Sequence, residues 1–567
     1  MFNIQDLKKG DKVKSKIIAS FSIFLIITCY FFSTIPSYKL MAPTPIQYQH
    51  KILLIPLDSR PPCTNFVIDL AKIVNIEIII PPDEILDNYK TPANQILVRQ
   101  WLKDNIKNVN FAIISTDMLI HGGLMASRLS EGSENDIVDT LQLLQEIHNQ
   151  YPSIDLYAFN IIPRLWVGDS EETKKYQTSI LEFSKLKDII YTFHNPIDIE
   201  RQKEVEAKLP TNIKNNYLTL YAENEKLNKE LINLTQKGVL KQLLIGQDDG
   251  QSFGIPNIIK RNLQHYLWQK NIAENQVIIT RGTDEIALTI LGSINSTLQH
   301  HQPKIFVQYN DEKASSIVMP YMPHSVATTA KEKIEIAKGI QTTSIDSADF
   351  VLYVYIGTKD NMQNRYASAQ ELKKLLESGY KVALVDLSEN FEASETLFPV
   401  LKANHVPLNQ LIAYSGWNTT SNSIGTAITQ ATLFTGKLHN ITSEKDLATT
   451  YSNHLTFLTS RFLEDWYYLK SSHAKIDHLL KAQNIDVYNL NDSYNFANAQ
   501  LQKEMLQQSR ILLNDSAYRI PIKIQYNDTY FLLKVKDMKI DVNYPWPRTF
   551  EIDIKPSLSF VISKDIS

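Results

Sequence analysis

Residues 242–289 constrain the fold most. They read QLLIGQDDGQSFG, then IPNIIKRNLQHYLWQK, then QVIITRGTDEIALT further on. Two short apolar runs, 243–246 and 277–280, are each followed by a pair of acids: Asp248 with Asp249, and Asp284 with Glu285. The residues between are apolar at helical spacing. The pattern predicts a strand–helix–strand unit with both acidic pairs at the carboxyl ends of its strands. In open α/β sheets and in barrels, that edge is where ligands bind. Gly250, Gly254 and Gly282 flank the acids in a chain with only 17 glycines, and glycine permits tight turns and close backbone approach to a ligand. Helix capping accounts for an acid after a strand. It accounts less well for two adjacent pairs in one unit.

The same theme recurs on both sides. KILLIPLDSRPPC is a strand running into Asp58 and Arg60, and NVNFAIISTDMLIHGGLMASR a strand running into Asp117, His121 and Arg128. DLYAFNIIPRLW ends near Arg164. Further on, KIFVQYNDE, ADFVLYVYIGTKDN, YKVALVDLSEN and LNQLIAYSGWNTTSNS repeat the strand-into-polar-loop pattern, with helical segments between. Alternation of strand and helix predicts parallel sheets. The expected fold class is α/β, with two parallel-sheet blocks, a helical region and a small C-terminal antiparallel β element; a single barrel-like α/β fold is the alternative. The expected division is a basic tail (1–16), a signal-anchor helix (17–35), a linker (36–50), an α/β domain with an acidic cleft (51–300), a second α/β domain (301–440), a helical region (441–515) and a β-rich terminus (516–567). Residues 196–240 are strongly charged and helical in period, which predicts a helical hairpin. Its charges read as solvated faces, with Arg201 and Asn224 as the residues able to reach a cleft.

Composition narrows the function classes. A net charge of −3 gives no global pointer to nucleic acid. Only Cys29 and Cys63 occur, so neither a disulfide framework nor zinc-ligand cysteine spacing is available. Lys8, Lys9, Lys12, Lys14 and Lys16 precede an apolar run over 17–35, at the short end for a membrane span. Clustered lysines there predict a cytoplasmic start and an exported remainder. No small-x-small cleavage site follows, so an uncleaved anchor is expected, with secretion after signal cleavage as the alternative. The membrane, through this helix, and a small-molecule or glycan substrate are the expected partners. There is no GxSxG elbow, no P-loop and no GxGxxG after a strand.

A pocket built from these strand ends is dense in carboxylates, with arginines, one histidine and amides. Crowded carboxylates push some pKa values up, which supplies a protonated acid beside an ionised base. Two carboxylates across a scissile bond are what a glycosidase needs. Asp249, Asp284, Glu285 and Asp248 are the catalytic candidates. Asp58, Arg60, Asp117, His121, Arg128, Arg164, Trp417, Asn418 and Asn422 are the substrate-binding candidates. Trp417 reads either as a stacking platform for a sugar or as a packed core residue. No cofactor is expected. A divalent metal held by Asp58, Asp117, His121 and Asp249 is the alternative reading of the same residues. A metal-dependent hydrolase and a non-catalytic two-lobed binding protein are therefore the competing functions.

LDSRPPC, STDMLIHGGLMASR, GQDDGQSFG, RGTDEIA and YSGWNTTSNSIGTA resemble, in this order, the bacterial family catalogued as domain of unknown function 4127. The resemblance runs over about residues 52–433. It implies recurrent positions at Asp58, Arg60, Pro61, Asp117, Gly122, Gly123, Arg128, Asp248, Asp249, Gly254, Asp284, Glu285, Trp417, Asn418, Asn422 and Gly425. Gln251 and Ser252 depart from the family's run after Asp-Asp-Gly, and neither departure removes an acid. The resemblance implies no reaction; the hydrolase expectation rests on the residues themselves.

Overall fold

The computed structural model describes residues 39–40, 45–129, 132–166, 171–359 and 361–565. The expected basic tail, the anchor and part of the linker lie outside the described residues. Among the described residues, no helix is long and apolar enough to cross a membrane.

A two-residue strand, β1 (Lys39–Leu40), belongs to the C-terminal sheet described below. The first parallel sheet contains β2 (His50–Ile55), β3 (Ile76–Ile79), β4 (Phe111–Ser115), β5 (Asp155–Ile162), β6 (Gln242–Gln247) and β7 (Val277–Arg281). Their order is β3-β2-β4-β5-β6-β7. The second contains β8 (Lys304–Tyr309), β9 (Ile340–Thr342), β10 (Phe350–Gly357), β11 (Val382–Ser388) and β12 (Ala413–Ser415), in the order β12-β11-β10-β8-β9. Counted along the chain, both sheets run 2-1-3-4-5, and the first adds a sixth strand. Each reverses its strand order beside its first strand, where open α/β sheets form a ligand crevice. Helices cover both faces, so central strands are largely apolar; every residue of β10 and of β11 is buried.

The third sheet is antiparallel. β13 (Ile522–Tyr526), β14 (Thr529–Asn543) and β15 (Asp553–Asp565) pair in sequence, and β1 adds to the far edge. The expected fold class holds: two parallel-sheet blocks, many helices and a small antiparallel terminus. Both parallel sheets are open, with β3, β7, β9 and β12 as edges, so the single-barrel alternative is not the architecture. The charged stretch forms helices Pro196–Glu206 and Thr211–Gln236, as its period predicts. Arg201 stays on its surface, paired with Glu182. Asn224 turns inward and donates to the Ile161 carbonyl (2.8 Å).

One apolar core runs through both blocks. It includes Ile286, Ile290 and Leu291 from helix Ile286–Leu298, and Ile424, Ile428 and Ala431 from helix Thr420–Leu438. The latter is rich in Ser, Thr, Gly and Ala, and small side chains let helix axes approach closely. At the top of this seam sits a buried ion pair. Lys333, on helix Val326–Ile336, contacts Glu285 (2.6 Å) and donates to the Arg281 carbonyl (2.6 Å) and Thr280 Oγ1 (3.1 Å). Ser421 donates to the same Glu285 carboxylate (2.7 Å). Gly282 makes room for it: with φ at +89°, a Cβ there would stand 2.1 Å from Glu285 Oε1.

Removing one partner of a buried pair leaves the other charge uncompensated, at a cost of about 3–5 kcal/mol. Lys333→Met is therefore expected to lower the denaturation midpoint sharply. The double variant Lys333→Met/Glu285→Gln should recover most of the loss. Urea unfolding of the two variants checks this.

Candidate functional site

The loops at the carboxyl ends of β2, β5, β6, β7 and β12 converge on one cleft. Arg60 follows β2 and is only 7% exposed. It is clamped between Asp58 (Nη2–Oδ2 2.6 Å) and Asp284 (Nη2–Oδ1 2.8 Å). The Trp546 ring lies 5.1 Å from the guanidinium, and the Trp546 indole N–H donates to Ser59 Oγ (2.8 Å). Asp284 also accepts from Asn418 Nδ2 (3.5 Å). Asn418 holds a left-handed backbone, φ +49°, which asparagine tolerates better than most residues. Arg128 grips Asp248 through Nε (2.8 Å) and Nη2 (2.7 Å).

Asp249 differs from its neighbours. Its backbone N–H donates to Asp248 Oδ1 (2.8 Å), and its backbone carbonyl accepts from the Leu165 N–H (3.0 Å). Its carboxylate makes no direct hydrogen bond or ion pair among the described residues. Burial, followed by repulsion from Asp248, lifts it from 3.8 to about 7, against the pull of Arg128 and Arg164. Asp284 is also raised by burial, with Arg60 opposing.

These groups line a cavity of about 210 Å³ that includes Arg60, Arg128, Arg164, Asp248, Asp249, Asp284, Asn418 and Asn422. A second hollow of about 470 Å³ shares Arg60, Arg164, Asp249 and Asn418 with it. The two form one continuous cleft. Tyr321, Phe391, Tyr488 and Phe550 line it and are exposed. Lys470 and Glu464 reach its wall from a wide-turned π-helical stretch, Phe462–Ser472. Such stretches recur at functional sites.

The chain matches the family described as "Protein of unknown function (DUF4127)" over residues 52–555. It belongs to that family. No curated protein matches it.

Several family-motif residues support the cleft without facing it. Asp58 is fully buried behind Arg60. Asp117 is fully buried and accepts the Ile161 N–H (3.0 Å) and Asn160 Nδ2 (3.3 Å), tying β4 to β5. Burial raises it to about 8. His121 is buried, and burial lowers it to about 4. Neither residue lines either hollow. Asp58, Asp117, His121 and Asp249 are not gathered into a shared set of ligand atoms among the described residues. Glu285, expected beside Asp284 in the chemistry, is the partner of Lys333 instead. Successive residues point different ways, and the second acid of that pair turns into the interdomain seam. Trp417 is the exception: it lines the second hollow, yet it is only 5% exposed and packs edge-on against Phe66 at 5.8 Å, so little of its ring is open to the cleft. Cys63 is buried against the Asp284 carbonyl (3.9 Å), and burial pushes its thiol well up.

Sequence reasoning missed Arg281, the four aromatics, Lys470, Glu464, Arg548 and Glu551. The aromatics carry no periodic signal, being single residues on loops.

The raised pKa of Asp249 has a thermodynamic consequence. The folded chain holds this proton more tightly than the unfolded chain, whose value stays near 3.8. The stability contributed by the neutral carboxyl is thus full below about pH 4 and lost as pH rises through about 7. Asp249→Asn cannot ionise. Its stability relative to wild type should increase between pH 5 and pH 8, as read from denaturant midpoints at the two values. An offset independent of pH would contradict the assignment.

Proposed function

We propose that this protein is a hydrolase acting on a glycan, with Asp249 as its acid–base group. The observation that carries the reading is a carboxyl without a partner, poised near neutrality, in a cleft whose other acids are matched to arginines. A general acid–base works best with a pKa near the working pH. Protonated, Asp249 gives its proton to the leaving-group oxygen; ionised, it activates water. Asp284, fixed by Arg60 and Asn418, is the second carboxylate, placed to stabilise positive charge on the sugar ring. Asp248, held by Arg128, sets the electrostatics of Asp249.

The glycan assignment rests on the mixture of groups lining the cleft. Exposed aromatic faces at Tyr321, Phe391, Tyr488 and Phe550 suit the apolar faces of sugar rings. Asn418, Asn422, Thr419 and Arg164 suit their hydroxyls. The closing two-lobed receptor has less support, because one core runs unbroken between the blocks. The metal hydrolase has less support because its four expected ligands are dispersed. The lysine-rich start and apolar run support an anchored protein with the cleft outside the cytoplasm; cleavage of the cleft-bearing part by protease added to intact cells would check that placement.

Asp249→Asn is expected to cut turnover of a cleaved glycan by about 10²–10⁴-fold, the usual contribution of a general acid–base. Its fold at pH 7 should be intact by circular dichroism. The measurement is product release from a panel of polysaccharides by wild type and variant side by side. A variant as active as wild type would overturn the assignment.

A further inference from the structure

We propose that His301, Asp349 and His439 bind one divalent transition-metal ion, zinc by the character of the donors, on the side of the second sheet away from the cleft. Asp349 immediately precedes β10, and His301 lies just before β8, so both sit at the amino ends of the parallel strands. His439 ends helix Thr420–Leu438, whose other end follows Asn418 in the cleft wall.

The donor atoms of all three lie within 4.8 Å of one another. His301 Nε2 stands 3.1 Å from Asp349 Oδ2, and His439 Nε2 stands 3.7 Å from Asp349 Oδ1. Nitrogen and oxygen donors sit about 2.0–2.2 Å from zinc, which puts neighbouring donors of a tetrahedral site roughly 3.3–3.5 Å apart. The two observed separations, each to a different oxygen of Asp349, fall on either side of that spacing. The imidazoles lie side by side, their centroids 5.0 Å apart.

Three further observations favour a cation here. Asp349 is fixed before any ligand arrives: its Oδ2 accepts the Lys304 N–H (2.7 Å), and its own N–H donates to the Lys304 carbonyl (2.7 Å). His301 Nε2 is buried, and Asp349 Oδ2, 3.1 Å away, stands out of line for a hydrogen bond to it. The site also lies where helices Ile286–Leu298 and Thr420–Leu438 both end, so two negative helix ends meet beside it. As plain ion pairs, the cluster would need two protonated imidazoles sharing one carboxylate at a partly exposed site, an arrangement worth little. Two imidazoles and one carboxylate suit zinc better than magnesium or calcium. Three protein ligands leave a position for water. The ion would fasten both interdomain helices to the base of the second sheet. This inference is independent of the glycan reading.

The test uses the full chain without a histidine tag, stripped by chelator and dialysed. Zinc is titrated in competition with a chromophoric chelator, and thermal midpoints are read with and without zinc. Wild type is expected to take up one equivalent at micromolar affinity or tighter and to gain in midpoint, because binding to the folded state alone stabilises it. His301→Ala/His439→Ala should lose at least 100-fold in affinity and all of the midpoint gain. Should that variant fail to fold by circular dichroism, His439→Gln and Asp349→Asn should each lose at least 10-fold. Wild type that binds no zinc, or folded variants that bind it as tightly as wild type, would overturn the proposal.

Discussion

Arg60 places a full positive charge almost out of reach of water, and it is stable there only because Asp58 and Asp284 flank it. The desolvation of three buried charges is repaid when the geometry is close and the remaining hydrogen-bonding positions are filled. Here they are: Asp58 Oδ1 also accepts the Arg60 backbone N–H at 3.0 Å. The bridge spans the carboxyl edge of the first sheet, from the turn after β2 to the turn after β7, across three intervening strands. It fixes Asp284, and Asp284 in turn takes a hydrogen bond from Asn418 of the other block. Arg128 does the same for Asp248. Once these acids are matched to arginines, Asp249 is the carboxyl left over beside them. Its perturbed pKa is a consequence of that pairing as much as of its own burial.

The two parallel sheets share a strand order, yet they contribute unlike chemistry. The first supplies the carboxylates of the cleft. The second has an acid in the corresponding place, Asp386 near the end of β11, but its carboxylate accepts the backbone N–H groups of Leu397 (2.8 Å) and Phe398 (3.0 Å). That is a helix-capping role. The second sheet gives the cleft amides, hydroxyls and aromatic faces instead. A strand-end acid therefore has two fates, and the number of backbone donors it accepts separates them.

This distinction explains what was legible in the sequence. The apolar runs of β2, β4, β5, β6, β7, β10 and β11 are continuous because helices cover both faces, so they stand out from polar loops. The residues following them were read as one rim, and Arg60, Arg128, Arg164, Asp248, Asp249, Asp284, Asn418 and Asn422 do meet there. Asp117, His121 and Glu285 carry the same local signature but turn into the protein. Nothing within a few residues of Glu285 announces Lys333, which comes from a helix of the other block. Likewise, Arg281 lies just past the apolar run 277–280 with no local sign of a role, and its ion pair with Glu332 arises only in the folded chain. Local patterning locates an edge; the side of that edge a given acid faces depends on partners distant in the chain.

The cleft also requires the part of the chain that looked least functional. Gly416 donates its N–H to Asp465 (2.8 Å), anchoring the Trp417–Asn418 turn to the π-helical stretch. Asn65 reaches Asp553 (2.9 Å), and Trp546 covers Arg60. Arg548 stacks over Trp546 at 4.8 Å and over Tyr89 at 4.7 Å. Arg548, Phe550 and Glu551 then enter the cleft wall. The family match runs on to residue 555, well past the last strand-end motif and through these residues. The helical and β-rich terminus thus closes the cleft on the side the parallel sheets leave open, and it does so by shielding Arg60. Without that cover, the buried bridge would face water, and the attraction that holds Asp284 in place would weaken as the local dielectric rose.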